Sequence, residues 1–107
     1  METDALVVLC TCPNQEEASE LARCLVENRL AACVNIFPRI RSIYRWQGTV
    51  SDDAEVLMVI KTMASKFGGV EKWLKEHHPY DVPEVVGIKA ASVAEAYLDW
   101  IEQSTTE

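Results

Sequence analysis

The chain has 107 residues, 49% of them hydrophobic and 25% charged, which is room for one globular domain over 1–107 and too little for two independent cores. Seventeen Asp and Glu against ten Lys and Arg leave a net charge of −7. A nucleic-acid or acidic-membrane partner needs a basic surface to neutralise phosphates, so neither is expected.

In chain order, Ala5-Leu6-Val7-Val8-Leu9-Cys10-Thr11-Cys12 is apolar at both parities, the pattern of a strand buried on both faces. Pro13 stops it, and Asn14-Gln15-Glu16-Glu17 has the layout of a capping box that opens a helix. Ala18, Leu21, Ala22, Leu25 and Val26 follow at the spacing of one apolar helix face. Residues 31–46 are strand-like, with Pro38 belonging on an edge strand or at a bulge, and Gln47-Gly48 supplies a turn. After the acidic Ser51-Asp52-Asp53, the run Val56-Leu57-Met58-Val59-Ile60 is again apolar at both parities, a second central strand. Residues 64–78 predict a helix whose apolar line is Val70, Trp73 and Leu74, weakened at its start by Gly68-Gly69 at about 1 kcal/mol per glycine. A short strand over 84–90 follows. Ser92-Val93-Ala94-Glu95 then has the layout of a capping box for a last helix, with Val93, Ala96, Tyr97, Trp100 and Ile101 on one face.

Strand, helix, strand, strand, helix, strand, helix is the split βαβ, ferredoxin-like pattern of an α+β sandwich with an added C-terminal helix. The first and third strands then lie in the middle of an antiparallel sheet and the second and fourth at its edges. The doubly apolar runs are the first and third strands, and the proline sits in the second. A strand over 32–46 would extend on the order of 50 Å, against a gyration radius of about 13 Å for a domain this size. The long hairpin therefore overhangs its own subunit, and Ile43, Tyr44 and Trp46 call for cover by another chain in a closed homo-oligomer. The alternative is a hairpin folded back on itself at Pro38.

No segment carries about eighteen consecutive apolar residues, and the start Met1-Glu2-Thr3-Asp4 lacks the positive charge of a secretory leader. A cytoplasmic location and no membrane span are expected. Cys10, Cys12, Cys24 and Cys33 lie in apolar runs, so reduced thiols are expected rather than a disulfide framework. Cys10 and Cys12 share one face of the first strand, either as small buried hydrophobes or as a thiolate pair able to grip Cu(I) or Zn.

His77-His78-Pro79-Tyr80-Asp81-Val82-Pro83-Glu84 is the densest polar cluster. On helical geometry His77 continues the line of Val70, Trp73 and Leu74 toward the sheet, and His78 turns about 100° away toward solvent. Two readings stand: a helix C-terminus stabilised by histidine and stopped by proline, or a mixed imidazole, thiolate and carboxylate set from His77 or His78, Cys10 and Glu84 suited to Cu or Zn. Arg39, Arg41 and Arg45 share a parity, as an ion-pair face or as a cradle for a small anion. Glycine-rich phosphate loops, a nucleophile elbow and an assemblable triad are absent from the sequence, so a non-enzymatic role is expected.

Leu30-Ala31-Ala32-Cys33-Val34-Asn35, Ser42-Ile43-Tyr44-Arg45-Trp46-Gln47-Gly48, Glu55-Val56-Leu57-Met58-Val59-Ile60-Lys61-Thr62 and His78-Pro79-Tyr80-Asp81-Val82-Pro83-Glu84 resemble, in order and spacing, the CutA divalent-cation-tolerance family of bacterial type. The resemblance implies a ferredoxin-like subunit with a long hairpin between its second and third strands. It implies a PII-like homotrimer, cytoplasmic location, copper binding of one Cu per subunit (or Zn), and a part in tolerance to divalent cations. It also carries over a metal-ligand set onto Cys10, His77 and His78, with Glu84 at the glutamate position after the second proline. Cys12 departs from the family pattern, where a small residue is common. The alternative implied by the PII likeness is a signalling or binding module with a small anionic ligand or a protein partner in the intersubunit cleft, drawing on Arg39, Arg41 and Lys61. A third reading is a stable scaffold whose metal affinity is incidental.

Overall fold

Asn14 ends the first strand's reach and starts the first helix, its Oδ1 accepting a hydrogen bond of 2.8 Å from the Glu17 backbone N–H. The structure, a computed structural model, describes residues 3–106. Its elements are β1 (Ala5–Cys12), α1 (Gln15–Glu27), β2 (Cys33–Trp46), β3 (Thr49–Met63), a 3-10 turn (Ala64–Lys66), α2 (Phe67–His77), β4 (Val86–Lys89) and α3 (Glu95–Ser104). The four strands form one antiparallel sheet in the order β2-β3-β1-β4. β1 and β3 are central and β2 and β4 are edges, as the distribution of apolar runs and the proline in β2 require.

The even-numbered residues Leu6, Val8, Cys10 and Cys12 of β1 and Val56, Met58 and Ile60 of β3 point to one face of the sheet. There they pack against Ala18, Leu21 and Leu25 of α1 and Val70 and Leu74 of α2. The opposite face is covered only at one end, where Ala5, Ala32 and Met63 meet Ile101 of α3. Val7, Leu9, Leu57 and Val59 on that face are half-buried. The doubly apolar strands are thus fully buried on one face within the subunit, and their second face remains partly open.

Beyond the pair Cys12↔Val56, where β1 ends, β2 and β3 continue together from Ile40↔Glu55 to Trp46↔Thr49 with no third strand beside them. This is the overhang, and it stretches the subunit to 44 Å in its long dimension against 26 and 23 Å in the others. Pro38 sits at the one register shift, between Phe37 and Ile40, so it occupies a bulge on an edge strand, where its missing N–H interrupts no regular ladder pair. Gln47 and Gly48, with φ of 49° and 80°, close the hairpin as a two-residue turn with both residues left-handed. The acidic Ser51-Asp52-Asp53 lies inside β3, because in the overhang neither face is buried and charged residues cost nothing there.

Four local expectations are corrected. Val26 stays 41% exposed although it follows the spacing of the α1 face, since its neighbours Leu21, Ala22 and Leu25 already fill the contact. The helix over 64–78 is a 3-10 turn followed by α2, which ends at His77. The capping box at Ser92 does not form: α3 begins at Glu95 with Ala94 at its N-cap and no side-chain cap. Of its apolar face only Ile101 is buried, while Tyr97 and Trp100 meet in a tilted pair, ring centroids 5.4 Å apart, and remain 39% and 43% exposed.

Leu74 is fully buried and fixes α2 on the sheet. Leu74→Ala is expected to lower unfolding free energy by about 2–5 kcal/mol in denaturant titrations, whereas Val82→Ala, at a residue 71% exposed, should stay within about 0.5 kcal/mol.

Candidate functional site

Pro79 decides where the histidines go. A residue before proline is pushed out of the helical region, and His78 accordingly has φ −73° and ψ 141°, although its N–H still donates to the Leu74 carbonyl at 2.8 Å. Leaving the helix swings its side chain off the expected helical direction and inward, to 8% exposure. His77 is the last helical residue and is exposed. Its ring stacks on Trp73, with centroids 4.2 Å apart and planes at 15°, and its Nδ1–H donates to the Trp73 carbonyl at 2.8 Å. The expected orientations of the pair are therefore reversed.

At the end of β1, Cys10 and Cys12 both face the core and are both fully buried, as their shared parity requires. Their sulfurs and a ring nitrogen of His78 lie within 4.8 Å of one another. Among the described residues this is the only group of three or more metal-ligating side chains. His77 is outside it, and so is Glu84, which is exposed and reaches Cys10 only through its charge. The structure thus brings Cys10 and His78 together, leaves His77 and Glu84 apart from them, and adds Cys12. The signal for Cys12 was present in the sequence as its parity with Cys10.

The hydrogen bonds of His78 fix its protonation. The Tyr80 backbone N–H can only donate, and it lies 3.0 Å from Nδ1, so Nδ1 carries the lone pair. The Thr11 carbonyl can only accept, and it lies 2.8 Å from Nε2, so Nε2 carries the proton. The Cys12 sulfur stands 3.8 Å from that same Nε2. Hydrogen bonding from the Cys10 thiol and then from His78 pulls the Cys12 pKa below the ordinary thiol value, against the opposing effect of burial. The Cys10 thiol is pushed up by its hydrogen bond to Cys12, by burial and by the nearby negative charges of Cys12, Glu84 and Glu55. Burial disfavours charge on His78, while Cys12 and the Thr11 carbonyl favour it and raise its pKa. A second proton would have to enter Nδ1, against the Tyr80 N–H.

Beside this cluster runs an open groove of about 880 Å³, between residues 79–84 on one side and the overhanging hairpin on the other, with Thr11 at its base. Tyr80 links the two walls, its hydroxyl donating to Glu55 Oε2 at 2.7 Å. Burial and that carboxylate push its pKa up. On the hairpin, Arg41 makes a two-pronged pair with Asp52, Nε to Oδ1 at 2.8 Å and Nη2 to Oδ2 at 2.6 Å, and Tyr44 donates to Asp53 at 2.6 Å. The Lys61 ammonium sits 5.7 Å over the Tyr97 ring. Arg41 is therefore neutralised, which favours the ion-pair reading of the arginine face over an anion cradle.

The family model described as CutA1 divalent ion tolerance protein matches residues 6–104. A divalent-cation tolerance protein CutA from Thermus thermophilus is 48% identical over 99 residues, covering 92% of this chain and 96% of that one. Protein CutA of mouse is 46% identical over 95 residues, 89% of this chain, which spans about half (54%) of the mouse protein. Among solved structures, the Thermus thermophilus divalent cation tolerance protein superposes with a TM-score of 0.92 at 47% identity, covering 95% and 99% of the two chains. CutA1 from Oryza sativa does so with a TM-score of 0.94 at 42% identity, covering 99% and 97%.

Because the folded-state pKa of Cys12 lies below its ordinary value of 9.0, its contribution to stability is complete above pH 9.0 and fades as pH falls through the lowered folded value. The stability difference between the reduced wild type and Cys12→Ala, from urea midpoints across pH, should therefore shrink on acidification. A difference that is flat or grows toward acid contradicts the lowered Cys12 pKa.

Proposed function

The chain belongs to the CutA1 divalent ion tolerance family, and from that premise we propose that it binds a soft or borderline metal ion, copper or zinc, at Cys10, Cys12 and His78 and so contributes to divalent-cation tolerance. The observation that carries this reading is the convergence of two thiols and one imidazole, all buried, within 4.8 Å of one another. Two sulfurs and one nitrogen match the preferences of Cu(I) and Zn(II), and they discriminate against Mg, Ca and Mn, which prefer oxygen. Hydrogen bonding from Cys10 and His78 lowers the Cys12 pKa, so this thiol gives up its proton to a metal more readily than an ordinary one. Binding rather than catalysis is the role this set supports.

The same reading takes the working unit to be a homotrimer. Its support is the pattern of unsatisfied surface: Ile43 and Val50 on the overhang are 63% and 60% exposed, and Val86 and Ile88 on the β4 edge are 49% and 48% exposed. A β2 edge at one end of the sheet and a β4 edge at the other suit head-to-tail association that closes into a ring. The half-open second face of β1 and β3 gives such a ring an apolar interior. A cytoplasmic location belongs to the reading as well, supported by four cysteines that all stand as free thiols. No helix among the described residues is long and apolar enough to cross a membrane. The anion-binding alternative is not favoured, since Arg41 is paired with Asp52.

Calorimetric titration of Zn(II) and Cu(I) into the reduced protein should show one site per subunit, weakened roughly tenfold or more by Cys12→Ser and by His78→Ala and little changed by His77→Ala. Full affinity in Cys12→Ser combined with His78→Ala would place the metal elsewhere. Light scattering should give a mass near three chains of 12.0 kDa, and a 12.0 kDa particle at micromolar concentration would contradict the ring.

A further inference from the structure

The resting hydrogen bonds of His78 are incompatible with its use as a metal ligand, and that conflict has a mechanical consequence. The nitrogen that faces the thiols is Nε2, which lies 3.8 Å from the Cys12 sulfur and carries the ring proton to the Thr11 carbonyl. The lone pair of the neutral ring is on Nδ1, where the Tyr80 N–H occupies it at 3.0 Å. Coordination through Nε2 requires that its proton leave and that a neutral ring take one at Nδ1, through solvent. An Nδ1–H would then face the Tyr80 N–H, donor against donor, and an anionic ring free of both protons is strongly disfavoured in water. Coordination through Nδ1 instead displaces the Tyr80 N–H outright. In either mode the thiol protons of the ligands pass to solvent, and the Tyr80 N–H loses its acceptor.

We infer that metal loading at Cys10, Cys12 and His78 releases Tyr80 and opens the groove between residues 79–84 and the hairpin. This rests on the metal reading above and assigns that site a regulated output. Tyr80 is held at three points: its N–H on His78, its hydroxyl on Glu55 at 2.7 Å, and its ring against the His78 ring at 4.8 Å between centroids and 48° between planes. Glu55 is the first β3 residue of the overhang, opposite Ile40, so the hydroxyl tie is the one that fastens the 79–84 segment to the hairpin. Tyr80 and Thr11 also line the groove, while Cys10 and Cys12 are fully buried. Tyr80, which must let go for His78 to bind metal, is thus at once part of the groove's lining and a neighbour of the His78 ring. Pro79 and Pro83 stiffen the segment on either side of it, so a turn at Tyr80 is passed along the segment rather than absorbed locally.

Linkage makes the coupling reciprocal. If the metal-bound form gives up the Tyr80 hydroxyl bond to Glu55, removing that bond in advance favours the metal-bound form. Tyr80→Phe should then tighten Zn(II) binding by about fivefold, the value of one net hydrogen bond. A purely structural role for the hydroxyl predicts equal or weaker binding.

The direct test follows backbone amides of the reduced full-length protein by NMR with Zn(II), a diamagnetic ion, as the probe. On saturation the Tyr80 amide should shift and exchange with solvent at least about tenfold faster, while amides of β1 and β3 distant from the site keep their protection. Tyr80→Phe should tighten Zn(II) by calorimetry as stated. If Zn(II) binds, His78→Ala weakens it and the Tyr80 amide keeps its shift and protection, the coupling is wrong and the metal reading survives. If Zn(II) binds and Tyr80→Phe leaves affinity unchanged or lower, the opening of the groove is wrong. If wild type does not bind Zn(II) or Cu(I) at all, both fall together.

Discussion

The imidazole of His78 is the joint on which the site is built. One nitrogen closes on the carbonyl at the end of β1 and the other on the Tyr80 amide that begins the following segment. Through it the helical layer, the central strand and the wall of the groove are tied at a single point. The tie exists because Pro79 denies His78 a helical backbone, and because Leu74 in the preceding turn is pinned in the core and accepts the His78 N–H. A helix one turn longer would carry both histidines past the thiols.

Burial sets the chemistry at that joint. Two thiols and an imidazole enclosed between sheet and helices act on one another rather than on water, which pushes the Cys10 thiol pKa up and pulls that of Cys12 down. The acidic surface outside works in another way. Its charge of −7 tolerates any cation near the protein and selects none, so the discrimination proposed for the site would have to come from the soft donors inside. The groove and the overhang meet at Glu55, which receives the Tyr80 hydroxyl and is also where the hairpin leaves the shelter of β1.

Much of this fold is written in local patterns that tertiary structure does not override. The apolar residues at both parities, Val7 and Val8 in β1 and Val59 and Ile60 in β3, place those strands centrally, Pro38 marks the bulged edge, and Gln47-Gly48 marks the hairpin turn. Other features depend on partners the pattern does not name. Val26 keeps helical spacing yet finds no contact, and Ser92 has the layout of a cap yet the helix starts beyond it. Asp52 and Asp53 sit in a strand because their partners Arg41 and Tyr44 stand on the neighbouring strand. At the site, periodicity carried one residue too far assigns His77 inward and His78 outward, when the proline rule alone suffices to break the helix between them. Cys12 was legible by parity but indistinguishable from a small core residue, because what separates the two is a histidine 66 positions away. Glu84 is near in sequence to the histidines and exposed in space.

A metal held, as proposed, on two sulfurs and one ring nitrogen in the interior has its own spectroscopic signature. X-ray absorption at the zinc edge of the reduced, Zn-loaded protein tests it most directly, since sulfur and nitrogen shells are separated by distance. Two sulfur scatterers at about 2.3 Å with imidazole nitrogen at about 2.0–2.1 Å are expected, one sulfur being lost in Cys12→Ser. A shell of nitrogen and oxygen alone, unchanged by that substitution, would contradict it.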